Sequence, residues 1–485
     1  MNFGITSKAL GLLLLTESVC MLPSMGVAFY YGQGDAKALI LSMILTAAAG
    51  LLLLGLSALR PKKGIIRYKE GFMITGLGWV LACAFGALPF CFSGSVPTYV
   101  DAYFETVSGF TTTGSTILSN VEAVPKGILF WRSFTHWLGG MGILAFTMAL
   151  LPSIGNRVGT LQVYKAETTG PIAGKVKPTM RETAKMLYLA YGIVTVAQII
   201  SLRIAGMPMY DSLVHTFGTV GTGGFSIYNK SIGHYHNPSY EWIITIFTFL
   251  SGVNFSLYCN ALHGNFRNLL KDKEFQAYTG IVIGSIVMIA ININASVFHD
   301  VSESIRHASF QVMTIMSTTG YSSTNFDLWP DFSRMILMLL MFIGSCAGST
   351  AGGIKVIRFV LSFKIIKRGF HRLVHPKAVM PIQLGGQTVP EETLHGVTSF
   401  IVLYLVIYFV AVLALLAQGM DMMSGTSAVA ATLNNVGPGF ASVGPMKNFS
   451  KLSLFSKGLL SVCMLLGRLE IHSLMILAMP HFWKK

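Results

Sequence analysis

Charge is scarce in this chain, and acid most of all: 20 Asp and Glu stand among 485 residues, against 35 Lys and Arg. Only 11% of the residues are charged while 52% are hydrophobic. A water-soluble chain of this length needs more charge to cover its surface, so a soluble globular fold is excluded. Cysteine is sparse too. Cys20, Cys83, Cys91, Cys259, Cys346 and Cys463 lie mostly in apolar segments without CxxC spacing, which leaves no disulfide framework or metal knuckle. No HExxH, nucleophile elbow or paired carboxylates occur, and no GxGxxG follows a strand, so neither an enzyme nor a bound organic cofactor is expected.

What the chain has is apolar length. Runs near the ~20 residues that cross a hydrocarbon core recur from end to end, which predicts an all-α polytopic membrane protein. The first run, Ala9 to Tyr30, contains Glu17 and Pro23 and lacks a basic leader and cleavage site, so a retained helix is expected. Two helices, about 9–31 and 37–59, come first. One pattern then occurs four times: long apolar helix, short helix, Gly/Thr stretch, long apolar helix, basic loop. The first long helices fall near 71–92, 184–205, 276–298 and 396–418, the second near 126–150, 240–262, 334–354 and 453–479. The expected units are 1–69 for the two-helix extension, then 70–182, 183–274, 275–394 and 395–485 for the repeats.

The formal net charge of +15 invites a nucleic-acid reading, but its distribution points to a bilayer. Most Lys and Arg fall in alternate loops, at Arg60–Lys69, Arg157–Lys185, Arg267–Lys273 and Lys355–Lys377. That excess marks the cytoplasmic face and puts both termini there. The acids gather on the other side, including Asp101, Glu105, Asp211, Asp300, Asp327 and Asp421, where a cation would meet a modest negative field.

The short helices before the Gly/Thr stretches are too short to cross and must enter and return from one side. Their carbonyl ends would then favour a cation. The stretches themselves are Thr111-Thr112-Thr113-Gly114, Thr219-Val220-Gly221, Thr318-Thr319-Gly320 and Asn435-Val436-Gly437. Non-helical backbone at membrane depth is tolerated only inside protein or along a cavity. Glycine frees carbonyls to face an axis, and four such pieces predict one ring of oxygens, the construction of a cation filter. The bland alternative is helix-packing glycine. Spacing from Gly114, Gly224, Gly320 and Gly439 to Gly140, Gly252, Gly348 and Gly467 is nearly constant, so each repeat runs in one orientation, giving a pseudo-fourfold arrangement. That spacing favours Gly224 and Gly439, which stay as alternatives to Gly221 and Gly437 in repeats 2 and 4.

These stretches with their flanks, Phe104–Ser115, His215–Ser226, Phe310–Tyr321 and Ala431–Phe440, resemble the Trk/Ktr/HKT superfamily of potassium-translocating proteins, most closely its TrkH branch. The likeness covers the whole chain, including the two extra N-terminal helices. It implies an inner-membrane K⁺ uptake subunit working as a homodimer, with a cytosolic nucleotide-binding regulatory ring of the TrkA type on the basic face. Likeness to TVG-type filters favours Gly221 and Gly437 over Gly224 and Gly439. A glycine in every repeat favours K⁺ over Na⁺ by the same analogy. A symporter coupled to H⁺ or Na⁺ on this fold is the alternative.

The second long helix of repeat 3 carries Gly344-Ser-Cys-Ala-Gly348-Ser-Thr-Ala-Gly352-Gly353, which cannot hold a stiff helix at roughly 1 kcal/mol per glycine. A break there predicts a plug below the filter, and the family resemblance implies an intramembrane gating loop. Close packing through small residues is the competing reading. Arg468, alone in an apolar run, is a candidate gate residue bonded to that loop; pairing with Glu470 is its structural alternative. Trp131, Trp137, Trp242 and Trp483 read as interface anchors. Glu105 and His215 read as packing or capping partners, and His234 and His236 as surface histidines.

Overall fold

The computed structural model describes residues 2–59, 68–142, 180–262, 266–378 and 380–483. The basic stretches 60–67 and 157–179, and the end of the helix expected over 126–150, lie outside the described residues. The fold is all-α apart from a two-stranded hairpin, Gln383–Leu384 with Gln387–Thr388. Among the described residues, six helices are long and apolar enough to cross a membrane.

The N-terminal extension begins with Phe3–Cys20, whose first turn is capped by the Asn2 side chain accepting from the Ile5 amide at 3.3 Å. A bend at Met21, just before Pro23, leads into Leu22–Tyr31, and Gly32 ends that helix at φ 62°. The chain returns as Ala36–Ala58. The two helices cross where neither has a side chain, because a Cβ on Gly11 would lie 2.7 Å from the Gly50 carbonyl. Backbones that close gain van der Waals packing, and Ser57 Oγ on the Gly4 carbonyl and Ser18 Oγ on the Met43 carbonyl, at 2.7 and 2.9 Å, add hydrogen bonds between the same helices.

Each repeat then contributes a long first helix: Tyr68–Gly86 continued by Leu88–Phe92, Met180–Ile204, Lys273–Ile293 and Glu391–Leu416. Their outward faces keep Leu, Ile and Val exposed, for example Ile193, Ile291 and Val410, as a lipid-facing surface would. Inside them lie four half-helices, Tyr99–Phe110, Met209–Val220, Val301–Met316 and Met422–Leu433. These mix apolar and polar side chains and are almost wholly buried toward their C-terminal ends. Buried Thr, Ser and Glu thus sit hydrogen-bonded within an otherwise apolar interior.

One expectation needs correction. The second long helix is broken in repeats 2 and 4 as well as in the third, and in repeat 1 it ends at Gly140, short of the expected 150. Lys126–Gly140 stops at Met141, and Pro238–Ser251 is separated from Phe255–Leu262 by Gly252 to Asn254. Asp331–Phe342 is separated from Val356–Val374 by the loop 343–355, and Leu454–Arg468 from His472–Ala478 by Leu469 to Ile471. At two of these points a side chain would collide with a half-helix end. A Cβ on Gly139 would overlap the Phe110 carbonyl, and one on Gly467 the Leu433 carbonyl. The stretch 356–374, read from its charge as a loop, is an amphipathic helix. Trp131 is not an interface anchor: it is fully buried and its Nε1–H donates to the Gly86 carbonyl at 3.0 Å.

Candidate functional site

The four half-helices end in one hydrogen-bonded motif. The amides of Thr111, Gly221, Ser317 and Asn434 close the last helical turn. The next residues, Thr112, Thr222, Thr318 and Asn435, all turn left-handed, at φ 55°, 54°, 57° and 57°. The amides of Thr113, Gly223, Thr319 and Val436 then reach back five residues to Ser108, Gly218, Thr314 and Ala431 at 2.7–2.8 Å. A second left-handed residue follows in each: Gly114, Gly224, Gly320 and Gly437, with φ 85°, 74°, 79° and 103°. Only glycine enters that region at no steric cost.

The four turns meet edge to edge in a closed cycle. A Cβ on Gly114 would collide with the Gly223 carbonyl oxygen, on Gly224 with that of Thr319, and on Gly320 with that of Val436. A Cβ on Gly437 would come within 2.6 Å of the Thr113 carbonyl and complete the circle. The carbonyls of Thr113, Gly223, Thr319 and Val436 therefore face the glycines of the neighbouring repeats. Above them opens a recess of about 750 Å³, counting its solvent-open part, lined by the four glycines together with Arg132, Tyr228, Asn229 and Lys447.

Three of the acids expected to make a negative field are ion-paired. Lys457 Nζ bonds Asp101 at 2.6 Å, Arg132 Nε bonds Glu105 at 2.6 Å, and Arg334 bonds Asp327 at 3.3 Å. Glu105 also accepts from the Ile117 amide at 2.8 Å, so it and its arginine brace the chain just after the first turn. His215 Nε2 lies 3.1 Å from the Tyr235 hydroxyl, a packing role. Asp421 caps the fourth half-helix, and the Ser424 hydroxyl and amide hold its carboxyl below the usual range. His234 stacks on Tyr228.

Beneath the ring runs the loop 343–355. The Gly352 amide donates to Thr318 Oγ1 at 2.8 Å, and Thr350 Oγ1 donates to the Val220 carbonyl at 3.1 Å. Ser345 Oγ donates to the Met316 carbonyl at 3.2 Å. A Cβ on Gly352 would press on the Asn434 carbonyl, one on Gly348 would meet Asn254, and Gly353 is left-handed at φ 69°. The loop thus touches the C-terminal ends of the half-helices of repeats 2, 3 and 4. Arg468 bridges it to repeat 1, donating to the Thr350 carbonyl at 2.7 Å, to the Gly140 carbonyl at 2.7 Å, and to the Gly139 carbonyl. The loop is stapled at both ends by Glu274 Oε1, which accepts from the Ala347 amide at 2.8 Å and the Ile357 amide at 3.0 Å.

Residues 40–485 match the family model described as TrkH, cation transport protein. The chain belongs to the TrkH family. The Trk system potassium uptake protein TrkH of Salmonella typhimurium is 39% identical over 492 residues, 100% of both chains. The Trk system potassium uptake protein TrkI of Halomonas elongata is 30% identical, covering 99% of this chain and 96% of its own. The crystal structure of the potassium transporter TrkH from Vibrio parahaemolyticus superposes with a TM-score of 0.90 at 34% identity, over 100% of both chains. Family membership fixes this chain as a multi-pass membrane protein.

Within this family fold the named residues fall as follows. Thr112, Thr113 and Gly114, Thr318, Thr319 and Gly320, and Asn435, Val436 and Gly437 occupy matching places in three turns, with Thr111 one step earlier. Repeat 2 is shifted. Thr219 and Val220 are the last residues of the half-helix, and Gly221 caps it in helical geometry, φ −72°. The counterpart turn is Thr222-Gly223-Gly224. In repeat 4 Gly437 holds the ring position, whereas Gly439 lies beyond it, its amide on the Val443 carbonyl at 2.8 Å. Thr222, Gly223 and Glu274 were missed by sequence reasoning. The spacing to Gly252 carried the signal for the first two; nothing local marked Glu274.

Proposed function

We propose that this chain takes up K⁺ across the bacterial inner membrane, as the names of its relatives say of them. The ion passes through a ring built from the carbonyls of Thr113, Gly223, Thr319 and Val436, with Thr112, Thr222, Thr318 and Asn435 on its inner side. A weakly hydrated cation gives up water to neutral oxygens at small cost, and four half-helix C-termini aimed at the same place add to the attraction. The closed cycle of glycine-to-carbonyl approaches is the observation that carries this reading.

The loop 343–355, with Gly348, Gly352 and Gly353, serves as the gate, and Arg468 holds it shut while its guanidinium sets a charge barrier to cations. Repeats bounded at 70–182, 183–274, 275–394 and 395–485 surround one path, with both termini cytoplasmic. Two copies associate, and a nucleotide-binding ring of the TrkA type acts on the basic cytosolic face. The decisive experiment is K⁺ or ⁸⁶Rb⁺ flux into liposomes carrying the purified chain, with Na⁺ as competitor and with no H⁺ or Na⁺ gradient. K⁺-selective flux is expected; absence of flux without a coupling gradient would transfer the reading to a symporter.

A further inference from the structure

Arg468 sits two residues before the most unusual backbone in the described chain. Glu470 and Ile471 are consecutive non-glycine residues with positive φ, 52° and 60°, and Ile471 has ψ −55°. For a β-branched residue such as Ile471 this is an outlier, and such backbone persists only where its surroundings hold it. Two contacts hold it here. The Ile471 amide closes onto the Leu466 carbonyl at 2.7 Å, with the side chain 1% exposed. Glu470 Oε2 forms an ion pair with Arg358 Nη2, and that arginine is 6% exposed with its guanidinium 3.9 Å above the Phe400 ring.

Arg358 belongs to the first turn of Val356–Val374, the helix through which the chain leaves the loop. Just before it, Lys355 is 1% exposed and its Nζ donates back to the loop carbonyl of Ala351. Farther along, Arg368 pairs with Glu391 and Lys364 Nζ donates to the Gln383 carbonyl, so this helix moves together with the hairpin 383–388 and the start of Glu391–Leu416, while Phe363, Phe370 and Leu373 are exposed. One ion pair thus ties that unit to the strained turn next to Arg468.

We propose that Arg358 and Glu470 are positioning residues for the gate: their ion pair latches the exit helix to the turn at Leu469–Ile471 and so keeps Arg468 on the carbonyls of Thr350, Gly139 and Gly140. Displacing the exit helix pulls Glu470, releases the strained turn and withdraws Arg468. The inference rests on the gate reading above and names how force reaches that gate.

The test uses the full chain in liposomes with ⁸⁶Rb⁺ flux, together with spin-label distances between cysteines introduced at exposed Phe363 and Val462. Glu470→Gln and Arg358→Gln are expected to raise resting flux by about tenfold or more, the scale on which losing one partner of a buried pair tips a two-state balance. The same variants should lengthen or broaden the 363–462 distance. Arg358→Lys, which keeps the charge, should restore much of both, and so should the exchange Arg358→Glu with Glu470→Arg. Single variants with wild-type flux and wild-type distances would overturn the latch, as would an exchange that folds yet rescues neither. If no variant passes Rb⁺ but the distances shift and recover as stated, the latch stands and the pore reading fails.

Discussion

A glycine at 437 and a glycine at 439 look alike in composition and do different physical work. Gly437 has φ 103° and faces the Thr113 carbonyl, so an added methyl meets both a backbone penalty and a ring oxygen. Gly439 is tight against Val443 and Ser427, outside the ring. Gly437→Ala is therefore expected to lose K⁺-over-Na⁺ preference in liposome flux, while Gly439→Ala lowers thermal stability and keeps the preference. A reversal of those two outcomes would put the ring at the wrong glycine. Arg468→Ala, which removes three donations to backbone carbonyls, is expected to raise resting flux; unchanged flux would end its gate role.

At the scale of elements, the half-helices were legible because they are short, amphipathic and followed by Thr and Gly. Asp300 and Asp421 cap the third and fourth half-helices, each side-chain oxygen accepting from a first-turn amide. The register of repeat 2 was not legible from the tripeptide Thr219-Val220-Gly221, since a helix end and a turn have the same composition. Spacing to the next helix pointed to Gly224 there but to Gly439 in repeat 4, because connecting loops differ in length. The helix breaks of repeats 2 and 4 and the early helix end of repeat 1 escaped notice for a related reason. Those of repeats 2 and 4 span only three residues each, and the glycines beside the helix ends of repeats 1 and 4 are set by close approach to a half-helix carbonyl distant in the chain rather than by local propensity. Inter-repeat contacts carry testable energy as well. Lys457 of repeat 4 and Asp101 of repeat 1 are both nearly buried, and Asp101 also accepts from Thr98 Oγ1 at 2.8 Å. Lys457→Met should cost about 3–5 kcal/mol by leaving that carboxylate unpaired, and Lys457→Met with Asp101→Asn should recover most of it. Denaturation in detergent measures both; equal loss in single and double variants would refute the pairing.

For the whole molecule, repeats 2 and 3 meet at an ionisable cluster with consequences for pH. His307 of the third half-helix lies 2.9 Å from Ser323 Oγ, 3.2 Å from Arg306, 3.6 Å from Glu303 and 3.8 Å from Glu241, and stacks on Phe298. Burial first, and Arg306 second, push its imidazole down to about 4. A histidine held neutral in the fold but free to protonate at its ordinary value of 6.5 when unfolded stabilises fully above 6.5. That contribution is lost as pH falls toward about 4. Relative to His307→Gln, the native chain should therefore lose melting temperature in detergent as pH falls across this window; an identical profile in the variant would remove the histidine from the account.

Composition and spacing alone determined that this chain crosses a membrane many times, repeats one unit four times, and places Gly and Thr at the end of each short helix, because hydropathy, length and periodicity are properties of local sequence. Tertiary structure decided which glycine closes the ring in repeat 2, where the second helices of repeats 2 and 4 break, and that Arg468 and Glu274 converge on one loop. Those outcomes depend on collisions and hydrogen bonds between residues far apart in the chain, and no local pattern encodes which carbonyl a distant glycine will meet.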